Sequence, residues 1–151
     1  MILIYEIKKT VSFLNKNLKG AGLDFFKVRK SVVELCFLQS VDGDLNELWL
    51  SGAHEFEIFS HEKNNGNKAC KLALLKNLIG ETIDKVDIHG NGTLVIHFNR
   101  YALSIPFEED SLSEEIWSIT PDNATPYFNH PWSASLTDDC KVVLLMEKAD
   151  N

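Results

Sequence analysis

The fold is decided by the stretch Leu78-Ile79-Gly80-Glu81-Thr82-Ile83-Asp84-Lys85-Val86-Asp87-Ile88-His89, then Gly90-Asn91-Gly92, then Thr93-Leu94-Val95-Ile96-His97-Phe98-Asn99. Apolar residues alternate with polar ones in both runs, the period of a half-buried strand. The alternation slips once between Ile83 and Val86, which points to a β-bulge. Gly90-Asn91-Gly92 is a turn signal, because glycine and asparagine tolerate positive φ. Two further runs, Ala102–Phe107 and Glu115–Thr120, extend this hairpin into a four-stranded meander.

Sixty residues earlier the same order recurs. Asn17-Leu18-Lys19-Gly20 matches Asn77-Leu78-Ile79-Gly80, and Leu23-Asp24, Phe26 and Val28 match Ile83-Asp84, Val86 and Ile88. One inserted residue moves the offset to 61, where Val33, Leu35 and Phe37 match Leu94, Ile96 and Phe98. Leu48 and Leu50 are set opposite Leu103 and Ile105, and Phe56 and Ile58 opposite Trp117 and Ile119. The first copy therefore reads as strands Gly22–Val28, Val32–Gln39, Asn46–Ser51 and Glu55–Ser60, with Val41-Asp42-Gly43-Asp44 as a longer third turn. The 151 residues are expected to form one domain with an internal repeat, 13–60 and 73–120.

Helix is scarce. Asn67–Leu78 has helical apolar spacing and Gly80 as its stop, and Val11–Leu18 is its shorter counterpart, stopped by Gly20. Met1–Ile7 and Lys141–Glu147 are apolar on both phases and are expected to pair as strands of one sheet. Pro121–Pro131 holds three of the four prolines and reads as extended loop. Each meander has one apolar face to cover. The expected fold is thus α+β, mainly β: two duplicated antiparallel β-meanders packed as a sandwich or strongly curved sheet, with one or two short helices. Phe13, Phe25, Phe26, Phe37, Trp49, Phe56, Phe98, Phe107 and Trp117 are expected to supply much of the core.

Fifteen Lys and Arg against 22 Asp and Glu leave a net charge of −7. Nucleic acid and anionic membranes are poor partners for such a chain, since both reward a basic face. The N-terminus has its apolar run first, unlike a secretory leader, and no run approaches a membrane span. A cytoplasmic protein is expected. The acids are unevenly placed: residues 41–60 hold five acids and no base, and residues 101–151 hold ten acids and two bases. Asp42, Asp44 and Glu47 belong to one set, and Glu108, Glu109, Asp110, Glu114 and Glu115 to the other. If the copies are symmetric, the two sets occupy equivalent loops and strand ends. Such sets serve as solvated, aggregation-resistant edges or as a docking surface that steers a cationic protein. Tyr127 and Trp132, in a proline-flanked segment, are candidate interface anchors or packing residues for their loop.

Catalytic and metal motifs are not found. Cys36, Cys70 and Cys140 form no Cys-x-x-Cys pair, and the five histidines have no metal-binding spacing. Glu108-Glu109-Asp110 lies in a polar turn with no apolar pocket to raise a pKa, and Ser51-Gly52-Ala53-His54 is not a nucleophile elbow. No catalytic residue, metal or cofactor is expected.

The run from Leu78 to Ile88, followed by Gly92–Phe98, Leu103-Ser104-Ile105-Pro106 and Glu115-Ile116-Trp117-Ser118-Ile119, resembles a small duplicated β-rich bacterial domain of unassigned function. In that domain a Leu-x-Gly turn leads into strands ending in a Glu-x-Trp pair. It is similar to the immunity proteins encoded beside polymorphic or contact-dependent growth-inhibition toxins. Here Asn99-Arg100-Tyr101 replaces the Asp-Gly turn of the central strands. The resemblance implies a non-enzymatic protein that binds and neutralises the C-terminal domain of a cognate toxin, a basic protein and most naturally a nuclease, by occluding its basic surface. It transfers no functional residue. The alternative reading is a non-catalytic ligand-binding or assembly domain with no toxin partner.

Overall fold

The computed structural model describes residues 2–29, 32–53, 56–60, 71–107, 115–121 and 131–146. The elements are β1 (Ile2–Ile4), α1 (Ile7–Leu18), β2 (Gly22–Arg29), β3 (Val32–Val41), β4 (Asp44–Ala53), β5 (Glu57–Ser60), α2 (Lys71–Leu78), β6 (Ile83–Ile88), β7 (Leu94–Phe98), β8 (Tyr101–Ile105), β9 (Glu115–Pro121), β10 (Trp132–Thr137) and β11 (Val142–Met146). The protein is mainly β, as its alternation requires, with two helices among the described residues. A seven-stranded antiparallel sheet in the order β1-β11-β10-β9-β4-β3-β2 packs on a four-stranded one in the order β5-β8-β7-β6.

The strand partners repeat between the halves. Leu23 pairs with Phe37 and Val28 with Val33, while Ile83 pairs with Phe98 and Ile88 with Leu94. Each hairpin has its bulge at the same step, around Asp24 and around Asp84. The fourth strand of each half then changes sheet. β5 pairs with β8, and β9 pairs with β4. Face-to-face stacking of two intact meanders is therefore replaced by an exchange, three strands in one layer and the fourth in the other. The register also corrects the alignment of the third strands: Ile58 faces Leu103 and Ile119 faces Leu50, so Leu50 corresponds to Leu103 and Gly52 to Ile105.

The halves meet through reciprocal backbone bonds. Gly20 N–H donates to Ile83 O (2.8 Å) and Gly80 N–H to Leu23 O (2.9 Å), while Leu23 N–H donates to Glu81 O (3.1 Å) and Ile83 N–H to Ala21 O (2.8 Å). Gly20 and Gly80, at φ +87 and +88, end the two helices in the left-handed conformation that frees these groups to turn outward. Phe37 and Phe98 stack at 6.2 Å in the core between the sheets. A Cβ on Gly52 would stand 2.9 Å from Ile105 Cδ1, so the layers touch there. Trp117, 1 % exposed, donates its indole N–H to Gly92 O at 2.9 Å and ties β9 to the turn before β7.

Helix α1 lies against β6 and β11. Asn15 accepts from Val86 N–H (2.8 Å) and donates to Val86 O (2.7 Å), acting as a surrogate strand on the edge of the smaller sheet. Leu14 and Leu18 bury the helix's apolar face. The expected strand Met1–Ile7 is shorter: β1 ends at Ile4, and Ile7 already begins α1. β1 does pair with β11. The segment after Pro131 holds a strand to which the sequence pattern assigns no element, β10, inserted between β9 and β11. Residues 122–130 of the expected proline-rich loop lie outside the described residues, as does the segment 67–70 of the expected second helix.

Candidate protein-interaction surface

The β3–β4 hairpin has the longest strands among the described residues, ten residues each. Its turn is not a long one. Val41 pairs with Asp44, and Asp42 and Gly43 between them have φ +51 and +84, a two-residue turn of the I′ kind. β2 starts opposite Leu38, and β9 ends opposite Leu48. Among the described strands, the hairpin end from 39 to 47 therefore extends past both neighbours. Asp42, Asp44 and Glu47 are all exposed there, with Val41 at 44 % and Leu45 at 70 % exposure. Sequence reasoning missed the tight turn, although Asp-Gly between alternating runs is its usual signature.

Of the other expected site residues, Glu115 and Trp132 are not brought to this end. Glu115 begins β9 beyond the Gly52–Trp117 pair, eight residues of β4 away from Asp44, which is about 26 Å at ~3.3 Å per residue. The two acidic sets do not sit in equivalent loops: the counterpart of the Asp42-Gly43 turn is the Asn99-Arg100 turn between β7 and β8. Trp132 is half-buried on the core side, edge-on to Phe13 at 5.1 Å. Glu108, Glu109, Asp110, Glu114 and Tyr127 lie outside the described residues.

Two aromatics expected in the core stand on the opposite face of the larger sheet. Leu35, Phe37, Leu48 and Leu50 point inward, so the intervening Cys36 and Trp49, paired with each other, point outward, and Phe25 pairs with Cys36 from β2. The bulge at Asp24 shifts the phase of β2 and sends Phe25 out while Phe26 packs on the core. Strict alternation through Leu48-Trp49-Leu50 carried this signal. Phe25 and Trp49 meet edge to face at 5.4 Å, and the Lys27 ammonium lies 5.8 and 5.7 Å from the two ring centres. Trp49 donates its indole N–H to Glu47 Oε2 at 3.0 Å. Cys36 beneath them is fully buried, and its thiol is pushed up to about 11, first by burial and then by Glu47 and Asp24, with Lys27 opposing. It is a protonated packing thiol at neutral pH.

At the other end of the larger sheet, a cleft of about 570 Å³ opens between the β10–β11 turn, Gly90 and Gly92, and Tyr5 and Ile7. Asp139 there accepts from the Thr137 hydroxyl and pairs with Lys141 at 3.3 Å, and these contacts hold its carboxyl below the ordinary range. Cys140, at φ +63, donates its thiol to Asn91 O at 3.2 Å. Both groups are thus engaged locally. No group of three or more His, Cys, Asp or Glu among the described residues could hold a metal. No helix among them is long and apolar enough to cross a membrane. No protein-family model, curated protein or solved structure gives a match to the chain.

Proposed function

We propose that this protein is an immunity protein: it binds the basic C-terminal domain of a cognate toxin in the cytoplasm and covers that domain's substrate-binding surface, with no bond-making chemistry of its own. On this reading the chain is one domain, 1–151, grown by duplication of 13–60 and 73–120. The observation that carries the proposal is the extended β3–β4 hairpin, whose end presents Asp42, Asp44 and Glu47 together on backbone held by a two-residue turn. Clustered carboxylates on a rigid projection attract and orient a cationic surface, and they lose little entropy on binding. The same charge repels nucleic acid, so an occupied cleft stays closed to a nucleic-acid substrate.

The test is co-expression with the basic domain encoded immediately upstream. Cells are expected to survive that domain only with this protein present. In vitro, charge reversal of Asp42, Asp44 and Glu47 together is expected to slow association at least tenfold at low salt, and much less at 0.5 M salt. Unprotected cells would end the proposal. A ligand-binding role rests on the ~570 Å³ cleft, which falls within the usual size range of small-molecule sites. It predicts that bulky substitution at Gly90 impairs function while hairpin reversal does not.

A further inference from the structure

The outer face of β2, β3 and β4 combines two features that an ordinary solvent-facing sheet surface keeps apart. Such a face is normally polar. Here it holds Phe25 and Trp49 as a rigid edge-to-face pair, with Leu38 and the 70 % exposed Leu45 toward the hairpin end. Leu38 is paired with Glu47 and Leu45 with Ser40, so all four apolar side chains lie on the Cys36 side of the sheet. The border is anionic. Glu47 accepts the Trp49 indole N–H, Asp24 is the bulged residue beside Phe25, and Asp42 lies in the turn at the far end. Lys27, which sits over the two rings, and Arg29, two residues along β2, are cations of the same face.

From this arrangement we infer that the Phe25–Trp49 face is the docking surface for a basic protein partner, with Trp49 and Leu45 as its apolar centre and Asp24, Asp42 and Glu47 in its rim. The inference rests on the proposed toxin-binding role and names where that contact is made. Charge complementarity selects the occupant: on this face the carboxylates Asp24, Glu34, Asp42 and Glu47 outnumber the cations Lys27 and Arg29, which matches an apolar side chain ringed by Lys or Arg. Aromatic centres shielded by a polar rim are where binding energy concentrates. Phe25 and Trp49 also cover Cys36, so the experiment separates covering from docking.

The probe is the purified basic domain encoded immediately upstream, titrated into the full chain by calorimetry and stopped flow. Leu45→Lys changes an exposed side chain and is expected to weaken binding at least tenfold with the melting temperature unchanged. Trp49→Ala is expected to weaken binding at least thirtyfold. Tyr5→Lys, an exposed position at the cleft beside the β10–β11 turn, is expected to leave affinity within twofold. If the domain binds wild type while Leu45→Lys and a folded Trp49→Ala bind equally well, this face is not the contact, and the immunity role survives elsewhere on the molecule. If the domain does not bind wild type, both readings fall together.

Discussion

The two halves share a centre and differ at the margins. At the centre, Gly20 and Gly80 donate across to Ile83 and Leu23, and Phe37 stacks on Phe98. Corresponding residues meet there, and where two equal side chains would collide one half has been reduced: Gly52 stands against Ile105, its counterpart. At the margins the first half has ten-residue strands joined through Asp42-Gly43, whereas the second has five-residue strands joined through Asn99-Arg100. Helix α1 uses Asn15 to bond β6, but the residue sixty positions later is Leu75, which is fully buried. The lesson is that packing holds the shared centre to one solution, while the periphery of the first half was free to acquire charge and reach.

The largest effects should come from the strands that change sheet. Phe56 and Trp117 occupy corresponding positions just before or within those strands, at 4 % and 1 % exposure. Truncating either to alanine is expected to cost about 3–5 kcal/mol. Trp117→Ala should be the costlier, because Gly92 O also loses its donor. Chemical denaturation of both variants measures the difference; equal costs would mean that the indole bond contributes nothing net.

A smaller effect is expected where the helices differ. Asn15→Leu gives α1 the residue that α2 carries and leaves the Val86 N–H and C=O without their partner. A loss of about 1–3 kcal/mol follows from an unsatisfied buried pair. Hydrogen exchange should show it as faster exchange at Val86, with β2 in the opposite sheet unchanged.

The smallest effect is the titration of Cys36. Its folded thiol titrates near 11 against an ordinary 9.0, so the folded chain holds a proton that the unfolded chain releases between those values. Stability contributed by the neutral thiol is present below pH ~9 and is lost as pH rises toward 11. Cys36→Ala should flatten the slope of melting temperature against pH over that window. In the native protein at neutral pH, exposed Cys140 should react with a thiol reagent while Cys36 does not.

Much of the fold was legible because strands announce themselves by period. The offsets of 60 and 61 set Phe26 with Val86 and Leu35 with Ile96, and the structure pairs Phe26 with Leu35 and Val86 with Ile96. The bulge before Val86 was visible as a break in phase. β10 was not legible, because Ser133, Ala134 and Ser135 are small and give weak alternation. The interaction surface was half legible. The acids could be counted from composition, but that Asp44 and Glu115 stand at opposite ends of the larger sheet could not, since it depends on which hairpin extends and which strand leaves its sheet.

Sequence by itself determined the β-rich class, the short helices, the strands of the two repeats and the acidic bias, because each is a local property of side-chain period, turn residues and charge. Only the tertiary structure decided that β5 and β9 exchange sheets, that β10 completes the larger one, and that Phe25 and Trp49 face outward beside Glu47. Those outcomes depend on which surfaces fit one another across long chain separations, and no local pattern encodes that fit.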